Sequence, residues 1–243
     1  MEAIKKLGLI GKNISYSFSK KYFEEKFKKS FIQEYSYSLF DLESSDEVES
    51  LLSSNEMLGF NVTIPYKEKV IPFLDELSPE AQEIGAVNTI LLKDGKRKGY
   101  NTDVVGFEKS LKLMLKDEQQ SAIVLGDGGA SKAVQFVLKK LNIPFIIVSR
   151  KTGLTFDELN FETVRKHHII VQCTPVGTFP NVDDCLDFPF LGLTKDHVLI
   201  DLIYNPTETR FLKMGQAAGA KTMNGLFMLE QQAEAAWRIW TEN

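Results

Sequence analysis

The sequence predicts an α/β protein in two parts: an N-terminal α/β region, then a region of βαβ units around a parallel sheet. Three observations carry this expectation. Short apolar segments of strand length alternate with amphipathic helical segments through the first half. The polar run Lys116–Gln120 then interrupts the pattern, as an exposed boundary would. Beyond it an apolar strand, a glycine turn and a helix follow in direct succession. That order gives right-handed crossovers, with helices on both faces of the sheet.

Taken in order, Leu7–Ile10 is the first strand, and Ser15, Ser17 and Ser19 lie in the turn after it. A helix from about Ser19 to Phe31 sets Tyr22, Phe23, Phe27 and Phe31 at helical spacing. Tyr35–Leu42 alternates as a strand does, and Gly59–Ile64 forms another, ended by Pro65. Residues 66–84 read as two short helices, broken near Pro72 and again at Ser78-Pro79. Val87–Leu92 and Arg97–Tyr100 flank Lys93-Asp94-Gly95 as the arms of a hairpin. An amphipathic helix runs from Asp103 to about Leu115. In the second part come the strand Ala122–Leu125, the turn Gly126-Asp127-Gly128-Gly129, a helix Ala130–Lys140 and a strand Phe145–Val148. Arg165 to His168 resembles the charged end of a helix. Ile169–Gln172, Val198–Asp201 and Lys221–Met223 are further strands. The last helix, Gly225 to about Trp240, aligns Leu226, Leu229, Ala233, Trp237 and Trp240 on one face.

Composition narrows the function. With 243 residues, 43% hydrophobic and 26% charged, the chain can bury a core and is not of the disordered class. Its net charge of −4 comes from interleaved acids and bases, so nothing offers the basic face that nucleic acid requires. No apolar run reaches membrane-spanning length, and the opening MEAIKKLGLIG lacks a signal-peptide core. A cytoplasmic protein with no membrane partner is expected. Cys173 and Cys185 make neither a disulfide framework nor a zinc site. His167, His168 and His197 have no metal or triad spacing, so no metal is expected and any catalytic proton falls to another residue type.

The glycine turn is of Rossmann type. Gly126 serves the tight backbone, and Gly128 lets the main chain approach a pyrophosphate at the N-terminus of the next helix. A tight strand-to-helix connection without a ligand would use the same glycines. Ser131 stands where a third small residue is usual. About 20 residues on, where an NAD site places an acid, the chain has Ser149-Arg150-Lys151-Thr152. Two cations there suit a 2′-phosphate and so NADPH over NADH, the alternative being a solvated basic turn.

Polar residues also gather at strand ends: Ser15–Ser19, Asn61–Lys67, Gly85–Thr89 and Asn101–Asp103. Serine, threonine and asparagine there supply neutral donors and acceptors suited to a small polyhydroxylated acid. Lys67 with Asp103 would make a proton relay, the ammonium donating to an oxygen left negative by hydride addition. Each has a plainer alternative: Ser17 or Ser19 as a helix cap, Asn61 as a turn residue, Lys67 as a surface cation.

These blocks resemble the shikimate dehydrogenase family along nearly the full chain. GLIGKNISYSFSKKYF is similar to its first strand, serine turn and helix, although Tyr16 and Lys20 depart from the usual His and Pro. The resemblance implies carboxylate contacts for Ser17 and Ser19. NVTIPYKE implies substrate binding for Thr63 and the catalytic position for Lys67. GAVNTI and GYNTDVVG imply substrate hydroxyl contacts for Asn88 and Asp103, with Asp103 the partner of the lysine. LGDGGASKAV corresponds to the cofactor loop Gly126, Asp127, Gly128, Gly129 and Ala130, and SRKT to the NADP-selecting block through Ser149, Arg150 and Lys151. QCTPVGTFPN resembles the loop near the nicotinamide, with Thr174 in it and Cys173 a departure. DLIYNPTET and NGLFMLEQQA imply roles for Tyr204 and Gln232 toward substrate and for Gly225 toward the nicotinamide. The family architecture implies a substrate domain over 1–103, completed by the C-terminal helix 225–243, and an NADP domain over 104–224. The implied activity is NADPH-dependent reduction of 3-dehydroshikimate to shikimate, toward chorismate and aromatic amino acids, by a monomer or homodimer. A quinate/shikimate dehydrogenase of the same fold and a non-catalytic NADP-binding regulatory protein are the alternatives.

Overall fold

The computed structural model describes residues 4–15, 17–44, 46–54, 56–115, 121–151 and 153–242. The boundary expected at Lys116–Gln120, and the positions Tyr16 and Thr152, lie outside the described residues. The strands are β1 (Lys5–Gly11), β2 (Tyr35–Asp41), β3 (Met57–Val62), β4 (Glu76–Leu77), β5 (Thr89–Lys93), β6 (Lys96–Tyr100), β7 (Ala122–Leu125), β8 (Phe145–Val148), β9 (Ile169–Gln172), β10 (Val198–Asp201) and β11 (Lys221–Met223). The helices are α1 (Phe18–Lys29), α2 (Asp46–Leu52), α3 (Pro79–Ile84), α4 (Asp103–Met114), α5 (Gly129–Lys140), α6 (Phe161–Lys166), α7 (Arg210–Ala217) and α8 (Leu226–Glu242). Two compact units result: Met1–Thr102 with Gln232–Asn243, and Asp103–Gln231.

The first unit holds a mixed sheet in the order β2-β1-β3-β5-β6-β4. β1 is central and parallel to both neighbours, and its Leu7, Leu9 and Ile10 are buried, as a strand covered on both faces must be. The β5–β6 hairpin turns through Asp94 (φ 53°) and Gly95 (φ 75°), the two positive φ angles a two-residue hairpin loop needs. On one side of the sheet Val48, Phe60, Tyr66, Val87 and Ile90 form a core, and on the other Phe23, Phe27, Tyr37, Ala236 and Trp240. Trp240 seals the second of these, its Nε1–H donating to the Ile90 carbonyl at 3.0 Å. Gly59 is required beneath it, because a Cβ there would stand 2.3 Å from both Ile90 O and Trp240 Nε1.

Two expectations are corrected here. Residues 66–84 do not form two helices: 67–70 run as turns, Ile71–Phe73 is a single 3₁₀ turn, and Glu76–Leu77 pairs with β6. Pro79 at the first helical position starts α3 only after Ser78, whose Oγ accepts the Ala81 N–H at 3.2 Å. Phe31, expected on the apolar face of α1, lies past its end at φ 54° and is 88% exposed. The buried face of α8 likewise includes Met228 and Ala236, while Leu226 and Leu229 are half-buried.

The second unit is an all-parallel sheet, β11-β10-β9-β7-β8, with its strand order reversing between β7 and β9. Its strands β7, β8, β9, β10 and β11 have the predicted bounds. Crevices for ligands in such sheets open outside the carboxyl ends of the strands at that reversal. His197, in the segment before β10, is 1% exposed. Its Nδ1 accepts the Thr194 N–H at 3.0 Å, so Nε2 carries the proton and donates to Val164 O at 3.0 Å. Burial lowers the pKa of this imidazole below 6.5. Its contribution to stability is therefore fully present above about pH 6.5 and is lost as pH falls through the depressed folded value. Urea denaturation between pH 7.5 and 5 should show this slope in the wild type and a flatter one in His197→Gln. Among the described residues no helix is long and apolar enough to cross a membrane, and no group of three or more His, Cys, Asp or Glu could hold a metal ion.

Candidate functional site

Two candidate residues of the first unit, Asn88 and Gln232, belong to a buried polar network. Thr102 N–H donates to Asn88 Oδ1 at 2.7 Å, which fixes that atom as the carbonyl oxygen of the amide. Asn88 Nδ2 then faces Gln232 Oε1 at 3.4 Å, and Thr102 Oγ1 reaches the same oxygen at 3.3 Å. Thr89 Oγ1 lies 3.2 Å from both Asn88 Oδ1 and Thr102 Oγ1. Asn61 extends the network, its Nδ2 donating to Asn88 O at 3.3 Å and to Thr89 Oγ1 at 3.2 Å. Its Oδ1 must therefore accept, and Tyr37 Oη donates to it at 2.7 Å. Burial raises the pKa of the Tyr37 hydroxyl well above its ordinary value, with the Ser19 hydrogen bond working the other way. Asn101, in the same segment, donates Nδ2 to Ala86 O at 2.9 Å. Its Oδ1 is buried and, among the described residues, lacks a hydrogen-bond partner.

Asn88, Gln232, Ser19 and Asn61 are thus linked. Thr89 and Thr102, named from the sequence only as members of the polar clusters, join them, and so does Tyr37, which was assigned no role from the sequence. Ser17 caps α1, its Oγ accepting the Ser19 N–H at 3.2 Å. Thr63 lies beside Gly11, where a Cβ would meet both Thr63 Cγ2 (2.6 Å) and Ile14 Cγ2 (2.4 Å), and its N–H donates to Ile10 O at 2.9 Å. Lys67 is half-buried after β3, and its main-chain carbonyl accepts Val87 N–H at 2.7 Å, one residue from Asn88. Tyr66 beside it is 1% exposed and donates Oη to Leu42 O at 2.7 Å. Across the α1 and α8 faces of this unit, Glu234 accepts from Tyr22 Oη and from Lys26 Nζ (2.7 and 2.9 Å). Burial works against its charge, yet those partners hold the Glu234 carboxyl below its usual pKa.

In the second unit, Asp103 opens α4 and is buried. The glycine turn leaves β7 at the reversal of strand order. Gly126 adopts φ 106°, and a Cβ there would approach Thr174 Cγ2 to 3.0 Å, so the loop after β9 packs directly on it. Gly128 is the N-cap of α5 with no side-chain cap, and a Cβ there would meet nothing within 4 Å. The main chain at Gly128 is thereby open to an anion at a helix N-terminus. Ser131, fully buried, donates Oγ to Gly126 O at 2.6 Å and ties the turn to the helix. Ser149 Oγ lies 3.1 Å from Asp127 Oδ2 and accepts the Lys151 N–H at 3.1 Å, while Arg150 and Lys151 are exposed. An open glycine turn beside two exposed cations is the donor set that a phosphorylated dinucleotide requires, so the residues fit the expected cofactor.

The loop after β10 is held from beneath by Asp201. Its Oδ1 accepts Ile203 N–H at 3.0 Å and its Oδ2 accepts Thr209 Oγ1 at 2.6 Å; burial raises its pKa to about 6 against both bonds. Tyr204 is half-buried on this loop. Gly225 N–H donates to Ile203 O at 2.9 Å, and a Cβ on Gly225 would lie 2.1 Å from Leu202 O. Gln172 Oε1 accepts Thr174 N–H and its Nε2 donates to Val176 O at 3.1 Å, which shapes the loop carrying Thr174. Burial pushes the Cys173 thiol pKa far up, so it stays a neutral packing group.

The chain was compared with known proteins by sequence and by structure. A family model described as the shikimate dehydrogenase substrate binding domain matches residues 9–90. The chain is 42% identical over 251 residues to the shikimate dehydrogenase (NADP(+)) of Clostridium beijerinckii, spanning 97% of this chain and 91% of that protein. It superposes with a TM-score of 0.87 on shikimate 5-dehydrogenase from Thermus thermophilus in complex with NADP(H) and shikimate, at 30% identity over 99% of this chain and 94% of that one. Quinate dehydrogenase from Corynebacterium glutamicum in complex with NAD gives a TM-score of 0.88 at 27% identity, over 100% and 95% of the two chains.

Proposed function

Because the chain belongs to the shikimate dehydrogenase family, we propose that it reduces 3-dehydroshikimate to shikimate with NADPH, reversibly, in aromatic amino acid biosynthesis. The observation that carries this reading is the network joining Asn88, Thr102 and Gln232. It fixes the polarity of two side-chain amides without any charge, which suits a polyhydroxylated ring. Bound NADPH would supply the hydride. The Gly126–Ala130 backbone would hold its pyrophosphate, Arg150 and Lys151 its 2′-phosphate, and Thr174 and Gly225 would border its nicotinamide.

On this reading each contact with the substrate falls to a named side chain. Ser17 and Ser19 take its carboxylate, Asn88 and Gln232 its hydroxyls, and Thr63 and Tyr204 bound it. The Lys67 ammonium donates the proton to the ketone oxygen as that oxygen becomes negative, and Asp103 orients and balances the lysine. All of these groups come from one chain, so a monomer would suffice and a homodimer would serve equally.

The test is nicotinamide absorbance with purified protein and 3-dehydroshikimate. Consumption of NADPH well in excess of NADH is expected. A quinate-type enzyme shares this fold closely, so quinate with NAD⁺ is the second arm. Turnover there, without turnover of 3-dehydroshikimate and NADPH, would overturn the proposal.

A further inference from the structure

Of the two serines assigned to the substrate carboxylate, Ser17 ends the segment between β1 and α1 as the N-cap, and Ser19 lies in the first turn of α1. Asn13 within that segment has φ 56°, a left-handed conformation that its own side chain tolerates but does not impose. What holds the segment comes from elsewhere. Asp41, the last residue of β2, aims its carboxylate at two consecutive main-chain amides: Asn13 N–H donates to Oδ1 at 2.7 Å and Ile14 N–H to Oδ2 at 3.2 Å. Ile14 O then accepts Ser17 N–H at 2.9 Å, and Ser17 Oγ accepts Ser19 N–H at 3.2 Å. An unbroken series of hydrogen bonds therefore runs from one exposed carboxylate to both serines. Asp41 is itself fixed, since β2 pairs with β1 through Gly11↔Asp41 and Leu42 N–H donates to Gly11 O at 2.9 Å. The nearby cation Lys12 is engaged by Glu43 at 2.7 Å.

We propose that Asp41 is a positioning residue that sets Ser17 and Ser19 for the substrate carboxylate; this rests on the function proposed above. Hydrogen bonds from amides to an ionised acceptor are short and directional, which makes the carboxylate a better template for this turn than a neutral side chain. Its exposure limits what it adds to global stability. Displacement of a binding group by a fraction of an ångström is nevertheless felt in substrate affinity.

The experiment compares wild type with Asp41→Ala, Asp41→Asn and, as a neighbouring charge control, Glu43→Gln. Asp41→Ala should raise KM for 3-dehydroshikimate about three- to thirtyfold, with kcat within about twofold and KM for NADPH unchanged. Asp41→Asn, which keeps one acceptor oxygen, should fall between, and Glu43→Gln should match wild type. Amide hydrogen exchange should speed up at Asn13, Ile14 and Ser17 in Asp41→Ala and remain unchanged in the strands. An unchanged KM, or losses in kcat and Tm that accompany the rise in KM, would overturn the proposal. If the wild type fails to turn over 3-dehydroshikimate, the functional reading fails by itself. The exchange rates then still decide whether Asp41 holds the turn, and unchanged rates at Asn13 and Ile14 sink it.

Discussion

Replacing Lys67 with methionine should lower kcat for 3-dehydroshikimate by about 10²- to 10⁴-fold, the usual worth of a placed general acid. Methionine keeps an unbranched apolar stem and removes only the ammonium. The main chain at this position is held independently of the side chain, by Tyr66 Oη on Leu42 O and by Val87 N–H on the Lys67 carbonyl. The variant should therefore fold with a near-wild-type Tm, and the loss should fall on kcat more than on KM. Arginine at the same position should not restore activity, because a guanidinium does not release its proton at neutral pH. Steady-state kinetics with a parallel thermal melt checks this. A kcat within tenfold of wild type would remove Lys67 from the chemistry.

Replacing Arg150 with alanine should raise KM for NADPH about ten- to a hundredfold and leave the weak reaction with NADH unchanged, as loss of a charged hydrogen bond to a phosphate predicts. The effect should shrink at high salt, since the site is exposed and screened. The turn itself should survive, because its geometry comes from other residues. Ser149 N–H donates to Leu154 O at 2.9 Å, Gly153 adopts φ 75°, and Ser149 Oγ meets Asp127. Equal losses with both cofactors would mean that the variant had disturbed the turn and that the 2′-phosphate reading was wrong. Adding Lys151→Ala separates the two cations: a further loss confined to NADPH assigns the second one as well.

β7, β9 and β10 were legible because they are short, largely apolar and buried along their length, a pattern that no turn imitates. α7 was not legible. Its buried face includes Gly215, a poor helix former, needed because a Cβ there would stand 2.2 Å from Leu199 Cδ2 on β10. α2 was missed for another reason: Asp46, Glu47 and Glu49 make its first turn read as a polar loop, although acids suit the start of a helix. The region 66–84 misled because its apolar residues serve a core below irregular turns, and local spacing cannot distinguish the two.

The candidate site divides in the same way. Local blocks named Ser17, Lys67, Asn88 and the glycine turn as candidates. Thr102, though adjacent to Asp103 in a block, acquires its meaning from Gln232, 130 residues away. Tyr37 lies on a strand without a motif, and its role depends on Asn61, 24 residues on. Interactions of that range are set by sheet order, which the local pattern does not encode.

The return of residues 232–243 to the first unit has a consequence for how the protein is made. A ribosome releases residues 1–102 first, but the core around Phe23 and Tyr37 lacks Ala233, Ala236 and Trp240 until the final turns of α8 emerge. The contiguous second unit, synthesised in between, can complete its core earlier. The nascent first unit thus leaves part of a sheet face, beyond what α1 covers, open for the whole of that interval, with Gly59 marking where the indole will close. A chaperone that shields apolar surface during translation would find its longest-lived target there, and a nascent chain stalled a few residues short of Trp240 would keep it.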